Sequence, residues 1–321
     1  MFYVSEKAVE ASVTQDDVNM AIESVFKSLA AADAVNFPVV REILGYADAI
    51  FGFKSGFDRS GPTLGVKAGG LWPGNRAKGM ANHQSTIVLF DPETGGPYAL
   101  VRGTYLTALR TAAASALSIR ALARNDSEVL GIVGAGGQAS FQVKAALQER
   151  PFKRLMVFDS STENAKLLCK DLSDTDLDIE VADAKAVAEA SDVIITVTPS
   201  FEPILSQSWI KPGTHLACMG ADTKGKQEVE TGLVASASLF GDEAQQAITL
   251  GECQHAYEDG LIQPGDILTL GEVLSGSHVG RQGDDDITIF DSTGMGLQDL
   301  AAAVVALKAA QSNGQVVELE D

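Results

Sequence analysis

The segment Val129-Leu130-Gly131-Ile132-Val133-Gly134-Ala135-Gly136-Gly137-Gln138-Ala139 narrows what this chain can fold into. An apolar run ends in a glycine cluster and helix-forming residues follow, so the order is strand, glycine turn, helix. Gly134 permits the tight turn, Gly136 lets backbone approach a pyrophosphate, and Ala139 stands where a small residue packs helix against strand. Phosphates would be held by the free N–H groups and dipole of that helix N-terminus. Asp159 closes the next apolar run, where a carboxylate accepts hydrogen bonds from adenosine ribose hydroxyls. It also repels a 2′-phosphate, and Ser160-Ser161 supplies no cation to offset it, so NAD is expected rather than NADP.

The texture around this segment extends the reading. Strand-like stretches at 129–133, 155–158, 179–181, 193–197 and 215–217 alternate with helical stretches at 137–149, 162–172 and 183–190. Further strands are expected at 238–240 and 288–290. This βαβ rhythm predicts an α/β fold of the Rossmann type, a doubly wound parallel sheet over residues 124–295. Ahead of it, residues 14–31 read as an amphipathic helix. Thr14 is its N-cap, Asp17 completes a capping box, and Val18, Ile22, Val25, Phe26 and Leu29 recur at helical spacing. From about 39 to 101 the pattern is β-like, with a hairpin turn at 91–97, and an Ala-rich helix follows at 104–123. A last Ala-rich helix at 296–311 resembles that one, so the first domain is expected to be a discontinuous α+β unit of residues 1–123 and 296–321. The tail after Gln311 is expected to fray.

With 321 residues there is room for two domains, each with a core. The net charge of −19 argues against nucleic acid or an anionic membrane as partner. No apolar run of 18 or more residues occurs, and the N-terminus shows no secretory signal, so a cytoplasmic protein is expected. The three cysteines, Cys169, Cys218 and Cys253, fit neither a disulfide framework nor a metal knuckle. No H-E-x-x-H or Cys/His spacing suggests a metal. His83 reads as a polar group at or near a site and His255 as structural.

Several segments outside the nucleotide fold resemble the ornithine cyclodeaminase/mu-crystallin family. They are Gly65-Val66-Lys67, Trp72-Pro73-Gly74-Asn75, Thr107-Ala108-Leu109-Arg110-Thr111-Ala112-Ala113, Gly220-Ala221-Asp222-Thr223-Lys224-Gly225-Lys226 and Phe290-Asp291-Ser292-Thr293-Gly294. They occur in order along nearly the whole chain. The resemblance implies an oxidoreductase with a nucleotide domain and a substrate domain that dimerises through its β-sheet, hence a homodimer. It implies that Arg41 and Arg110 hold a substrate α-carboxylate with Gly294 nearby, and that Lys67 sits at the reacting carbon and nitrogen with Asp222 as acid/base partner. Gly137, Gln138, Asp159 and Ser160 would touch the adenosine side of NAD, joining Gly134 and Gly136. Thr198, Met219, Lys226 and Thr293 would lie along the rest of the cofactor, and Asn82 near the nicotinamide or ribose.

The residues themselves carry part of this. Arg110 interrupts a small, apolar helical face, and a buried guanidinium needs an anionic or hydrogen-bonding partner. Lys67 lies in an alternating β segment, where an inward lysine is costly unless used. Asp222 follows a strand C-terminus, the edge where ligands bind in open α/β sheets.

Substrate charge narrows the reaction. Ornithine-cyclising members supply a carboxylate about a dozen residues before the catalytic lysine, whereas Phe51-Gly52-Phe53-Lys54-Ser55-Gly56 offers Lys54. A cation there repels an ornithine ammonium and attracts a second carboxylate. Asn36-Phe37-Pro38-Val39-Val40-Arg41-Glu42, Gly52–Asp58, Asn82-His83-Gln84-Ser85-Thr86 and Gly251-Glu252-Cys253-Gln254-His255 resemble the branch of the family that reduces iminosuccinate to L-aspartate with NADH during glyoxylate assimilation. A small anionic imino acid is therefore the expected substrate. The alternatives are an ornithine cyclodeaminase-type lyase, a Δ1-pyrroline-2-carboxylate (ketimine) reductase, and a non-catalytic, mu-crystallin-like binding protein.

Overall fold

A computed structural model describes residues 1–320. The chain divides into two compact units, Met1–Arg110 with Met295–Asp321, and Thr111–Gly294. The division falls inside the helix Thr104–Leu122, ahead of the expected 123/124 boundary. That helix is buried from Leu106 to Ile119, which explains its sequence: small and apolar all round rather than amphipathic.

In the first unit, seven strands precede that helix: β1 (Phe2–Val4), β2 (Ala34–Asn36), β3 (Val40–Ile43), β4 (Ile50–Asp58), β5 (Thr63–Leu71), β6 (His83–Phe90) and β7 (Pro97–Arg102). With a C-terminal strand, Val317–Glu318, they form one sheet in the order C-terminal strand–β1–β7–β6–β5–β4–β2, and β3 also pairs with β4. All neighbours are antiparallel except β1 with β7. The helix Gln15–Ala30 has the expected Thr14–Asp17 capping box and buries Val18, Ile22, Val25 and Phe26.

The helix Gly296–Ser312 packs on β4, β5 and Gln15–Ala30. Gly296 allows this: a Cβ there would stand 2.5 Å from the backbone nitrogen of Ser55 in β4, so any larger residue would push the helix off the sheet. The helix face of the sheet receives Lys54, Gly56 and Asp58 from β4 and Gly65 and Lys67 from β5, all buried. The alternate residues, Phe53, Phe57, Leu64 and Val66, are exposed or half-buried on the other face.

The second unit holds β8 (Val129–Val133), β9 (Arg154–Phe158), β10 (Asp178–Val181), β11 (Val193–Thr196), β12 (His215–Cys218), β13 (Ser238–Gly241), β14 (Ile267–Thr269) and β15 (Thr288–Asp291). Their order is β10-β9-β8-β11-β12-β15-β13-β14 and every pair is parallel. The first six positions follow the 3-2-1-4-5-6 order of a dinucleotide-binding Rossmann sheet, with the strand order reversing between β8 and β11. Strands β11, β12 and β15 are buried throughout, which is why each carries consecutive apolar residues rather than an alternation.

Three expectations need correction. The tail does not fray: the helix runs to Ser312, and Val317–Glu318 then pairs with β1, with the Leu319 amide donating to the Met1 carbonyl at 2.8 Å. The stretch expected as helix 137–149 is α-helical over Ala139–Ala146, because the glycine turn runs to Gln138 and single turns follow Ala146. The β-like region 39–101 also contains a 3-10 helix, Pro73–Lys78, started by proline and closed by Gly79.

His215 shows how polar groups are handled in the core of the second unit. The ring is fully buried. Ser118 Oγ donates to the Ser115 carbonyl at 2.7 Å, so it accepts from His215 Nε2 at 3.1 Å. His215 Nδ1 in turn accepts from Thr288 Oγ1 at 2.9 Å, and Arg281 Nη2 donates to that hydroxyl at 3.1 Å. Burial, with Arg281 and Arg150, pushes the imidazole down to about 3. The unfolded chain therefore takes up this proton first as pH falls. Stability from the neutral ring is complete above about pH 6.5 and is lost progressively toward pH 3. In urea unfolding between about pH 7 and 4, His215→Gln should show a shallower loss of stability with acid than the native chain, by up to about 1.4 kcal/mol per pH unit. Equal slopes would remove His215 from the account.

Candidate active site

Register places two lysines against each other. Lys54 of β4 and Lys67 of β5 are direct cross-strand partners, both on the helix face and both buried. Against them the first turn of Gly296–Ser312 brings Asp299, with no solvent exposure. Asp299 Oδ1 accepts from Lys67 Nζ at 2.8 Å and from Arg110 Nε at 3.0 Å. Arg110 Nη1 donates to Gln298 Oε1 at 3.3 Å. The Lys67 ammonium also donates to Thr107 Oγ1 at 3.3 Å, whose own proton goes to the Gly103 carbonyl at 2.7 Å.

Charge follows this geometry. Burial pushes the Asp299 carboxyl up, but Arg110, Lys67 and Lys54 outweigh it and hold the group at about 2. Burial, reinforced by Arg110 and Arg41 and opposed by Asp299, brings Lys67 down to about 8. Lys67 is thus an acid poised near the working range of an enzyme. Arg41, half-buried on β3, also acts on His83. Burial first, then Lys67 and Arg110, push that imidazole down to about 3, so His83 is neutral beside the cations. Its Nδ1 is buried with no hydrogen-bond partner among the described residues. Lys54, Lys67, Arg110 and Arg41 therefore belong to one cluster in the first unit. Asn82 lies in the same unit, where its Oδ1 accepts from the Arg76 amide at 2.9 Å and holds a turn.

The second unit gathers the other expected residues at the C-terminal edge of its parallel sheet. Gly134 has φ +102°, and a Cβ there would stand 2.8 Å from Thr198 Cγ2. By contrast, a Cβ at Gly136 or Gly137 would meet nothing within 4 Å, so this turn presents bare backbone. Asp159 braces it, with Oδ2 accepting from the Ala135 amide and Oδ1 from the Ser161 amide, both at 2.7 Å. Oδ1 also accepts from Asn164 Nδ2 at 3.3 Å, so Oδ2 is the oxygen that keeps a lone pair for a ribose hydroxyl. Gln138 Oε1 is buried with no partner among the described residues, and Ser160 is exposed. The turn, the carboxylate and the orphaned amide oxygen fit the adenosine and pyrophosphate part of a dinucleotide.

Two carboxylates that the sequence reading passed over organise the rest of this edge. Glu228, fully buried, accepts on Oε1 from the Thr198 amide at 2.7 Å and its hydroxyl at 2.8 Å. Its Oε2 accepts from Thr196 Oγ1 at 2.7 Å and the Gly220 amide at 2.9 Å. One side chain thereby ties the ends of β11 and β12 together and sets Thr198 and the loop after Met219. Asp242 does the same beyond β15, accepting from Thr293 Oγ1 at 3.0 Å and the Gly294 amide at 2.7 Å. In the loop 220–226, Asp222 is ion-paired with Lys226 at 2.8 Å, and Lys226 also reaches the Gly220 carbonyl. Gln254 clamps that loop, accepting from the Gly225 amide at 2.6 Å and donating to the Lys226 carbonyl at 3.1 Å. Within the first unit, the carboxylate bonded to Lys67 is Asp299.

Asp299 and Gln298 had one legible signal, polar residues inside an otherwise apolar, Ala-rich helix. Nothing local in the sequence marks Glu228 or Asp242, whose partners lie up to 52 residues away.

The family model of the ornithine cyclodeaminase/mu-crystallin family matches residues 4–314. This chain belongs to that family. Iminosuccinate reductase of Paracoccus denitrificans is 46% identical over 320 residues, covering 100% of both chains. The crystal structure of that protein in complex with NAD+ matches with a TM-score of 0.93 at 45% identity, covering 100% of this chain and 99% of that one. An archaeal alanine dehydrogenase dimer with bound NAD matches with a TM-score of 0.93 at 32% identity, covering 100% and 99%. Thermococcus litoralis Δ1-pyrroline-2-carboxylate reductase, in complex with NADH and L-proline, gives 0.93 at 28% identity, covering 99% and 100%. The family thus spans this chain from end to end.

Proposed function

We propose that the protein is an NADH-dependent imine reductase that converts an α-imino diacid, iminosuccinate, to L-aspartate. The observation that carries the reading is the cross-strand pair Lys54–Lys67 with Arg110, two lysines and an arginine, all buried and gathered around Asp299. A substrate with two carboxylates complements that set, and an ornithine side chain does not. The 46% identity to an iminosuccinate reductase supports the same choice.

Arg41 and Arg110 bind the α-carboxylate, with Gly294 as a further contact, and Lys54 meets the distal carboxylate. This fixes the imine carbon in one orientation. The Lys67 ammonium donates a hydrogen bond or a proton to the imine nitrogen, because a protonated imine accepts hydride far better than a neutral one. Asp222 is the second acid/base group. When bound, the cofactor would supply the hydride, and Gly134, Gly136, Gly137, Gln138, Asp159 and Ser160 would hold its adenosine side. Thr198, Met219, Lys226, Thr293 and Asn82 hold the remainder. Imine, NADH and one proton give amine and NAD+.

Asp159 and Ser160 set the cofactor. NADH should give a higher kcat/KM than NADPH, and Asp159→Ser combined with Ser160→Arg should narrow or reverse the ratio. Equal use of both cofactors by the native chain would defeat the assignment.

Lys54 sets the substrate. Loss of NADH absorbance should be about 100-fold faster with oxaloacetate plus ammonia than with pyruvate plus ammonia, and ornithine should release no ammonia. Lys54→Glu should remove the diacid preference and leave NADH affinity intact. Proline formation from ornithine with the diacid imine inert would favour the cyclodeaminase reading instead. If neither turns over while NAD binds tightly, a binding protein is the better description.

The first unit's sheet also suggests an assembly. Its outer face carries Val40 and Phe53, 46% and 43% exposed, in a row with Phe57, Leu64 and Val66. An apolar sheet face of this kind marks an interface, and a second copy of the chain is its proposed partner. Light scattering should give about twice the chain mass for the native protein, and Val66→Glu should shift it toward the monomer. A native monomer would refute the dimer.

A further inference from the structure

We propose that Asp299 is the positioning residue of the basic cluster, holding Lys67 and Arg110 from below so that one proton of the Lys67 ammonium is aimed at the substrate. The inference rests on the imine-reductase reading and assigns the residue that makes Lys67 usable in it. An ammonium has three N–H bonds. Thr107 and Asp299 take two of those of Lys67, so one is left to meet a ligand. The direction of that third bond is set by the other two, as for a tripod with two feet fixed. The same Asp299 oxygen also fixes Arg110 through Nε, and Gln298 takes Nη1, so the guanidinium cannot turn about its stem.

Three features make this a built arrangement. Asp299 stands in the first turn of its helix, where the macrodipole favours an ionised carboxylate. Gly296 brings that turn against β4, where any side chain would hold it away. Asp299 has no solvent exposure, whereas Lys67 and Arg110 retain 5% and 7%. The carboxylate lies behind the cations and leaves their outer sides to the ligand. The groups that face Lys67 are Asp299, which favours its protonated form, Arg110 and Arg41, which oppose it, the cross-strand cation Lys54, and the neutral ring of His83. Removing Asp299 should therefore lower the pH at which Lys67 loses its proton.

The test uses the full chain labelled at lysine Cε, with the Lys67 signal assigned by its loss in Lys67→Arg. In Asp299→Asn the Lys67 titration should move acidward by at least about one pH unit. The alkaline limb of kcat/KM for oxaloacetate plus ammonia should move with it, and kcat/KM should fall about 30-fold or more. NADH affinity should stay within about twofold, and Asp299→Glu should recover part of both losses. A titration that does not move, or a kcat/KM within about threefold of native, overturns the proposal. If Asp299→Asn does not fold, Thr107→Val decides: a small acidward shift with reduced kcat/KM supports the tripod, and no change in either overturns it. The lysine titration needs no substrate. A native chain inert toward the diacid imine therefore defeats the reading of the reaction, while the titration still reports separately on Asp299.

Discussion

Lys54 and Lys67 face each other across two antiparallel strands, on the side of the sheet that a helix covers. Like charges directly opposite each other on neighbouring strands destabilise a sheet. Ordinary sheets avoid such a pair. Here it coexists with a third cation, Arg110, and one carboxylate answers from the covering helix. Much else in the first unit follows from that answer. Gly296 has no side chain because the helix must come close, and Asp299 stands in the first turn because that turn is the one in reach. Gln298 and Thr107 accept further N–H bonds of the same two cations. Buried cations without such support would shed their protons or loosen the fold.

The second unit meets the opposite demand with the same device. A parallel sheet ends in loops whose amides need partners, and side-chain carboxylates provide them. Glu228 accepts four hydrogen bonds and Asp242 secures the segment after β15. Buried carboxylates are costly in isolation, yet one that satisfies several donors replaces a shell of water with fixed dipoles. The edge where a cofactor is expected is thereby stiffened from below, and the bare turn at Gly136 and Gly137 stays open.

Much of this was legible in the residues. The glycine turn, the βαβ rhythm and the capping box at Thr14 are local signals, and the parallel sheet and the Gln15–Ala30 helix match them. Lys67 and Arg110 stood out because each breaks an apolar pattern, and both are buried. Asp299 escaped notice because an acidic residue in the first turn of a helix is ordinary and its partners lie 189 and 232 residues away. Glu228 sits in a loop with no periodicity to violate. The strand at 317–318 is too short to announce itself, and its partner is at the other end of the chain. Pattern reading finds groups that defy their own neighbourhood; it is blind to groups explained by a distant one.

The first unit is assembled from both ends of the chain, and this sets an order on synthesis. The second unit is one continuous stretch and can complete its sheet while later residues are still emerging from the ribosome. The first unit cannot, because Asp299 and the helix that carries it follow the second unit in the chain. Until then β4 and β5 present two lysines and an uncovered sheet face. The basic pair therefore waits, solvated, through the synthesis of the whole second unit, and closure of that half is postponed until the covering helix has been made.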